Sequence, residues 1–150
     1  MSALPPALGG ERFEFDSPAG RLSCYAAGQG APLLLVHSVN AAASAAEVRP
    51  LYEHWQAART VFAVDLPGYG LSDRSDRAYT PRLMTDALHA TLEQIQQRCG
   101  KAPVDALAVS LGCEFLARAA VEAPARVRRL ALVSPTGFNG TRRRRGPPGS

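Results

Sequence analysis

Downstream of Ser110 the sequence has no histidine and no aspartate, although 40 of its 150 residues lie there. Other residue types are scarce throughout. There are three cysteines, Cys24, Cys99 and Cys113, an odd number without CxxC spacing, which argues against a disulfide framework and against a structural zinc site. No apolar run reaches membrane-spanning length, and the opening "MSALPPALGGERFEF" lacks the basic and apolar blocks of an export signal. A soluble, cytoplasmic protein is therefore expected. No glycine-rich dinucleotide fingerprint is present, because Gly28-Gln29-Gly30 and Gly68-Tyr69-Gly70 are too short and lack the required helix and acid. Neither a cofactor nor a metal is implied.

The excess of positive charge is local. The net charge is +4, and Arg142 to Arg145 supply four positive charges, which leaves 13 basic against 13 acidic residues elsewhere. With no aromatic interleaving and no basic stripe, the run reads as a solvated segment and nucleic acid is not an expected partner. Residues 138–150 are assigned to a flexible basic tail and 1–137 to a single folded unit. With 46% hydrophobic and 20% charged residues, the chain is expected to build one soluble core.

"RFEFDSP" and "RLSCYAAG" flank the turn Ser17-Pro18-Ala19-Gly20 and predict a hairpin. Four further runs follow: "PLLLVHS", "TVFAVDL", "VDALAVS" and "VRRLALVS". Their apolar residues are continuous rather than alternating, the pattern of strands covered on both faces of a parallel sheet. Helices are expected over Arg49 to Ala58, Pro81 to Arg98 and Leu111 to Ala123. In the second, Leu83, Ala87, Leu88, Thr91, Leu92 and Ile95 form one apolar stripe. Pro50 suits a first helical turn, and Ser44 with Glu47 matches a capping box. Alternating strands and helices predict a doubly wound α/β fold with a mostly parallel sheet.

In such a sheet, reactive groups collect at the carboxyl ends of the strands. Ser110 stands at one of these ends, between a strand and a helix, with the small residues Ala108 and Gly112 around it. A sharp turn there lifts the hydroxyl from the backbone, and the helix start offers free N–H groups to an oxygen that becomes negative. "LLLVHS", "VFAVDLPGYGLSD", "DALAVSLG" and "RLALVSP", in that order, resemble the N-terminal half of an α/β-hydrolase. The elbow usually written G-x-S-x-G stands here as Ala108-Val109-Ser110-Leu111-Gly112.

The resemblance implies an α/β-hydrolase sheet truncated after about six strands, with Ser110 as nucleophile and the backbone N–H groups of Leu111 and Val39 as the oxyanion hole. It implies an ester or related acyl bond in a small-molecule substrate, cleaved through an acyl-enzyme. Serine in place of aspartate at the elbow points away from the dehalogenase and epoxide hydrolase branches. Ser38 replaces a glycine common in the family's oxyanion loop, so a positive φ there would be strained.

The family's acid and histidine follow the nucleophile in sequence, and this chain has neither there. His37, His54 and His89 all precede Ser110, and His37 would be the first candidate if a base lay within the chain. The chain is accordingly read as a fragment, inactive by itself, with residues 138–150 leading into a missing lid. A non-catalytic module that binds a small ligand or a partner is the alternative. Other residues have plainer readings. Asp65 is expected to brace turns, with Gly68 and Gly70 supplying unusual backbone angles, and Cys113 to be a buried thiol. Tyr69, Trp55 and Phe138 are expected in the core or at a rim.

Overall fold

The structure is a computed structural model and describes residues 6–40 and 43–134. Six strands form one mixed sheet in the order β1-β2-β4-β3-β5-β6. The hairpin is β1 (Glu11–Ser17) with β2 (Gly20–Ala27), and β2 also pairs antiparallel with β4 (Thr60–Asp65). From β4 onward all pairing is parallel, through β3 (Pro32–Val36), β5 (Val104–Val109) and β6 (Val127–Val133). The doubly wound, mostly parallel sheet expected from the apolar runs is therefore present, with one antiparallel edge.

Side chains alternate across the sheet, and each face has its own cover. On one face Leu34, Val36, Phe62, Val64, Ala106 and Ala108 pack against α2 (Pro81–Cys99) and α3 (Gly112–Glu122). On the other, Leu33, Leu35, Val61 and Ala63 meet Ala45, Val48 and Tyr52 from a 3-10 turn (Ala45–Val48) and the short α1 (Arg49–Trp55). Continuous apolar strands are the consequence of this two-sided burial. Leu34, Leu35 and Val36 of β3 are fully buried.

Local chemistry fixes the helix starts. Thr80 caps α2 by accepting from Leu83 N–H at 3.1 Å, and Pro81 follows in the first turn. Pro50 likewise sits in the first turn of α1, which ends at Trp55 rather than at Ala58. Ser44 caps the 3-10 turn through Ala46 N–H, but the capping box does not form. The Glu47 carboxylate instead reaches back to Ser38, which offers it two donors where Ser44 offers one.

One expectation about burial needs correcting. β6 has the composition of a strand covered on both faces, yet Arg128 to Val133 are exposed, with Val133 at 43%. β6 is the edge strand of the sheet: α1 lies over β3 and β4 and does not reach it on one face, and on the other Leu130 and Leu132, level with Ala106 and Ala108, are still 38% and 37% exposed. An ion cluster secures this region: Asp105 accepts from Arg59 at 2.7 Å and from Arg128 at 2.8 and 3.0 Å. The Arg128 and Arg59 guanidinium groups hold the Asp105 carboxyl down at about 2. The basic tail at 138–150 and Phe138 lie outside the described residues. No helix among the described residues is long and apolar enough to cross a membrane.

Candidate functional site

Three loops leave the carboxyl ends of neighbouring strands β4, β3 and β5, and they meet at one edge of the sheet. β5 ends at Val109, α3 begins at Gly112, and Ser110 and Leu111 make the turn between them. Ser110 has φ 54°, in the left-handed region that costs an L-residue about 1–2 kcal/mol. The turn is held against that strain from both sides. Ser110 N–H donates to Val133 O of β6 at 2.9 Å, and Cys113 N–H donates to Ser110 O at 3.0 Å. Ser110 is half-buried, and its hydroxyl makes no hydrogen bond among the described residues.

Gly112 explains how the loop after β3 can approach. A Cβ at this position would lie 2.4 Å from His37 O, so the loop backbone rests directly on the first turn of α3. Val39 follows two residues later and is partly buried against the same core as Leu111. The N–H groups of Val39 and Leu111 have no acceptor among the described residues. Among the described residues the strand-to-helix turn thus carries one unpaired hydroxyl and one unpaired main-chain donor, and the loop seated on it carries a second donor.

The anchors of that loop could not be read from local sequence. Ser38 N–H and Oγ–H both donate to the Glu47 carboxylate at 2.6 Å, and Asn40 Nδ2 donates to Ser38 Oγ at 2.9 Å. Ser38 has no positive φ, so the strain considered for a serine in place of glycine does not arise. The serine hydroxyl adds an anchor that glycine lacks. Glu47 is not legible as a loop anchor in the sequence, because its partner is nine residues away and Ser44-x-x-Glu47 reads locally as a helix cap.

His37 is fully buried and engaged at both ring nitrogens. Leu66 N–H donates to Nε2 at 3.0 Å, so Nε2 carries a lone pair, and the proton on Nδ1 donates to Ser38 O at 2.6 Å. Burial pushes its pKa below the usual imidazole value, even though the Ser38 carbonyl and the Asp65 and Glu47 carboxylates pull upward. A ring in this state joins the β3 and β4 loops and has no free nitrogen to accept a proton from Ser110. His54 packs edge-on against Trp55, and His89 pairs with Glu122 at 2.8 Å, on helices away from the elbow.

Asp65 braces turns, as expected. Its carboxylate accepts from Ala45 N–H at 2.8 Å and from Leu71 N–H at 3.0 Å, while its carbonyl accepts from Ser72 Oγ at 2.5 Å. Gly70 has φ 53°, and a Cβ there would lie 2.2 Å from the Asp65 carboxyl carbon. Cys113 is buried, with its thiol against Ala108 O at 3.3 Å, and burial raises its pKa despite its place in the first turn of α3. No group of three or more His, Cys, Asp or Glu side chains among the described residues could hold a metal ion.

Comparison with known proteins gives a family match and many structural matches. A family described as alpha/beta hydrolase fold matches residues 31–147. An N-formylmaleamic acid deformylase from Pseudomonas putida S16 is similar at 26% identity with a TM-score of 0.72, over 83% of this chain and 47% of that one. A putative lipase from Acinetobacter baumannii AYE (23%, TM-score 0.75) covers 85% of this chain and 42% of its own. An epoxide hydrolase from an endophytic Streptomyces (23%, TM-score 0.72) covers 83% and 37%. The chain thus spans less than half the length of these solved structures. No curated protein matches it by sequence.

Proposed function

Because the chain belongs to the alpha/beta hydrolase fold family, we propose that it is the nucleophile-bearing part of a serine hydrolase that cleaves an ester or related acyl bond in a small molecule. The observation that carries this reading is the positive φ of Ser110 at the junction of β5 and α3. Ser134, after β6, also has a positive φ (51°), but among the described residues only Ser110 combines it with a strand-to-helix junction, and a turn of that kind carries the hydroxyl beyond the sheet edge.

The reaction follows from the groups at this edge. Ser110 Oγ attacks the acyl carbon, and the carbonyl oxygen takes up negative charge as the tetrahedral intermediate forms. The N–H groups of Leu111 and Val39 donate to that oxygen. Donors already fixed in place are worth about 10²–10³ in kcat each, because they need no reorganisation when the charge appears. A base accepts the serine proton and returns it to the leaving group, and water then cleaves the acyl-enzyme by the same path in reverse.

The base and its orienting acid are proposed to come from sequence beyond these 150 residues. Two observations support this: both His37 nitrogens are occupied, and the chain spans under half of its solved relatives. The deformylase and lipase named above supply the substrate precedents, a C–N acyl bond and an ester. The epoxide hydrolase shares the fold, but fold alone does not select a chemistry.

The test is steady-state hydrolysis of p-nitrophenyl acetate by the protein carrying its following sequence, beside Ser110→Ala and the 150-residue chain. Turnover that falls at least 10³-fold in Ser110→Ala, with the short chain near background, is expected. Full turnover by Ser110→Ala would remove the serine from the mechanism, and efficient turnover by the short chain would mean that it holds its own base.

A further inference from the structure

We propose that the cleft between the loops following β3 and β4 binds a small planar molecule bearing a carboxylate, with Arg74 as its counter-charge. The cleft encloses about 420 Å³ and is lined by Asn40, Pro67, Gly68, Tyr69, Arg74 and Tyr79. Both loops emerge from the sheet edge that carries Ser110.

Its aromatic walls are fixed in advance. The Tyr79 ring lies on Gly68, where a Cβ would come within 2.9 Å of the ring, and its hydroxyl donates to Ser75 O. The Tyr69 ring meets the buried His37 ring edge-on, with centroids 5.5 Å apart, and Tyr69 N–H donates to Leu66 O at 3.0 Å. Two tethered rings give a flat apolar ligand its contact area at little cost in side-chain entropy.

The charge at the cleft is not neutralised. Arg59 and Arg128 share Asp105, Arg82 pairs with Glu122, and Arg77 faces Asp73. Among the described residues Arg74 instead holds only the Gly70 carbonyl, through Nε at 3.0 Å and Nη2 at 2.7 Å. A guanidinium has five N–H donors, so Nη1 and the remaining Nη2 hydrogen are left for the two oxygens of a carboxylate. Of the nearby acids, Asp73 is turned to Arg77 and to the N–H and hydroxyl of Ser75, and Asp76 is exposed. An anion with a flat apolar body satisfies both the rings and the guanidinium. That this ligand is also the hydrolysed substrate rests on the serine hydrolase reading; its binding does not.

The probe is benzoate, with benzamide as the neutral isostere, titrated into the ¹⁵N-labelled full-length protein and followed by amide chemical shifts. Saturable shifts at Asn40 and over 67–79 are expected, with benzoate binding about tenfold more tightly than benzamide. Arg74→Gln should abolish that preference, Arg74→Lys should keep part of it, and Ser110→Ala should leave it intact. Equal affinity for the two probes in the wild-type chain would overturn the proposal, and so would shifts confined to other regions or absent altogether. The wild-type comparison decides the matter even if Arg74→Gln fails to fold. A carboxylate preference that survives in a protein whose Ser110 proves inert would leave the cleft standing and the hydrolase reading not.

Discussion

Replacing Gly112 with alanine sets two effects of known sign against each other. Gly112 opens α3 and has an ordinary helical φ, so alanine gains up to about 1 kcal/mol of helix propensity. The new Cβ would lie 2.4 Å from His37 O, whereas real Cβ atoms keep at least 3.0 Å, so the carbonyl must move by about 0.6 Å. It is main chain on a loop whose neighbours are tied to Leu66 and Glu47, so it yields less readily than a side chain. Overpacking of this kind costs about 1–3 kcal/mol, which outweighs the propensity gain. Gly112→Ala should therefore lower stability by up to about 3 kcal/mol in urea denaturation, or about 2 where the full propensity gain is realised, with an unchanged m-value. The same shift carries the N–H of Val39, a proposed oxyanion donor, out of line, so acyl transfer by the full-length protein should fall by about 10²-fold. A variant stabilised by about 1 kcal/mol with unimpaired acyl transfer would show that the loop does not rest on the elbow.

Four further outcomes are expected. Asp65→Asn puts an amide NH₂ against one of two N–H donors, Ala45 or Leu71, and should cost about 1–3 kcal/mol by thermal melting. His37 titrates below the usual imidazole value when folded, so the unfolded chain binds the extra proton first. Its contribution is complete above about pH 6.5 and is lost as pH falls through the folded value, so urea midpoints should decline on acidification and decline less in His37→Gln. Asp105, held at about 2 against an ordinary 3.8, stabilises the fold above its unfolded pKa and loses that contribution between those values, so Asp105→Asn should flatten the acid limb there. Of the three thiols only Cys99 is exposed, so one equivalent should react with a disulfide reagent in the native chain and three in denaturant.

The parts of this molecule that were legible in its sequence are those governed by neighbours along the chain. Leu33 to Val36 and Val61 to Val64 announce their strands because two-sided burial demands an unbroken apolar run. Pro81 announces a helix start through its missing N–H, while its cap Thr80 emerges only in the structure. Ser110 is legible because its strand-to-helix turn has a short and ordered signature. The anchors of the site are another matter. Glu47 on Ser38, His37 on Leu66 and Asp65 on Ala45 and Leu71 are contacts between loops brought together only by the strand order β4-β3-β5. Ser44-x-x-Glu47 shows the hazard, since a local cap pattern was overridden by two donors on Ser38. β6 shows another, because an apolar run reports what a strand can have on its faces and not what covers it in this chain.

The central claim, that Ser110 is the acyl-accepting nucleophile, is tested most directly by quenching the full-length protein in mid-turnover with p-nitrophenyl acetate and sequencing the peptides by mass spectrometry. An acetyl mass on the peptide at Ser110, chased away on longer incubation and missing from Ser110→Ala, is the expected result. Sustained turnover with that serine unmodified at every time point would contradict it.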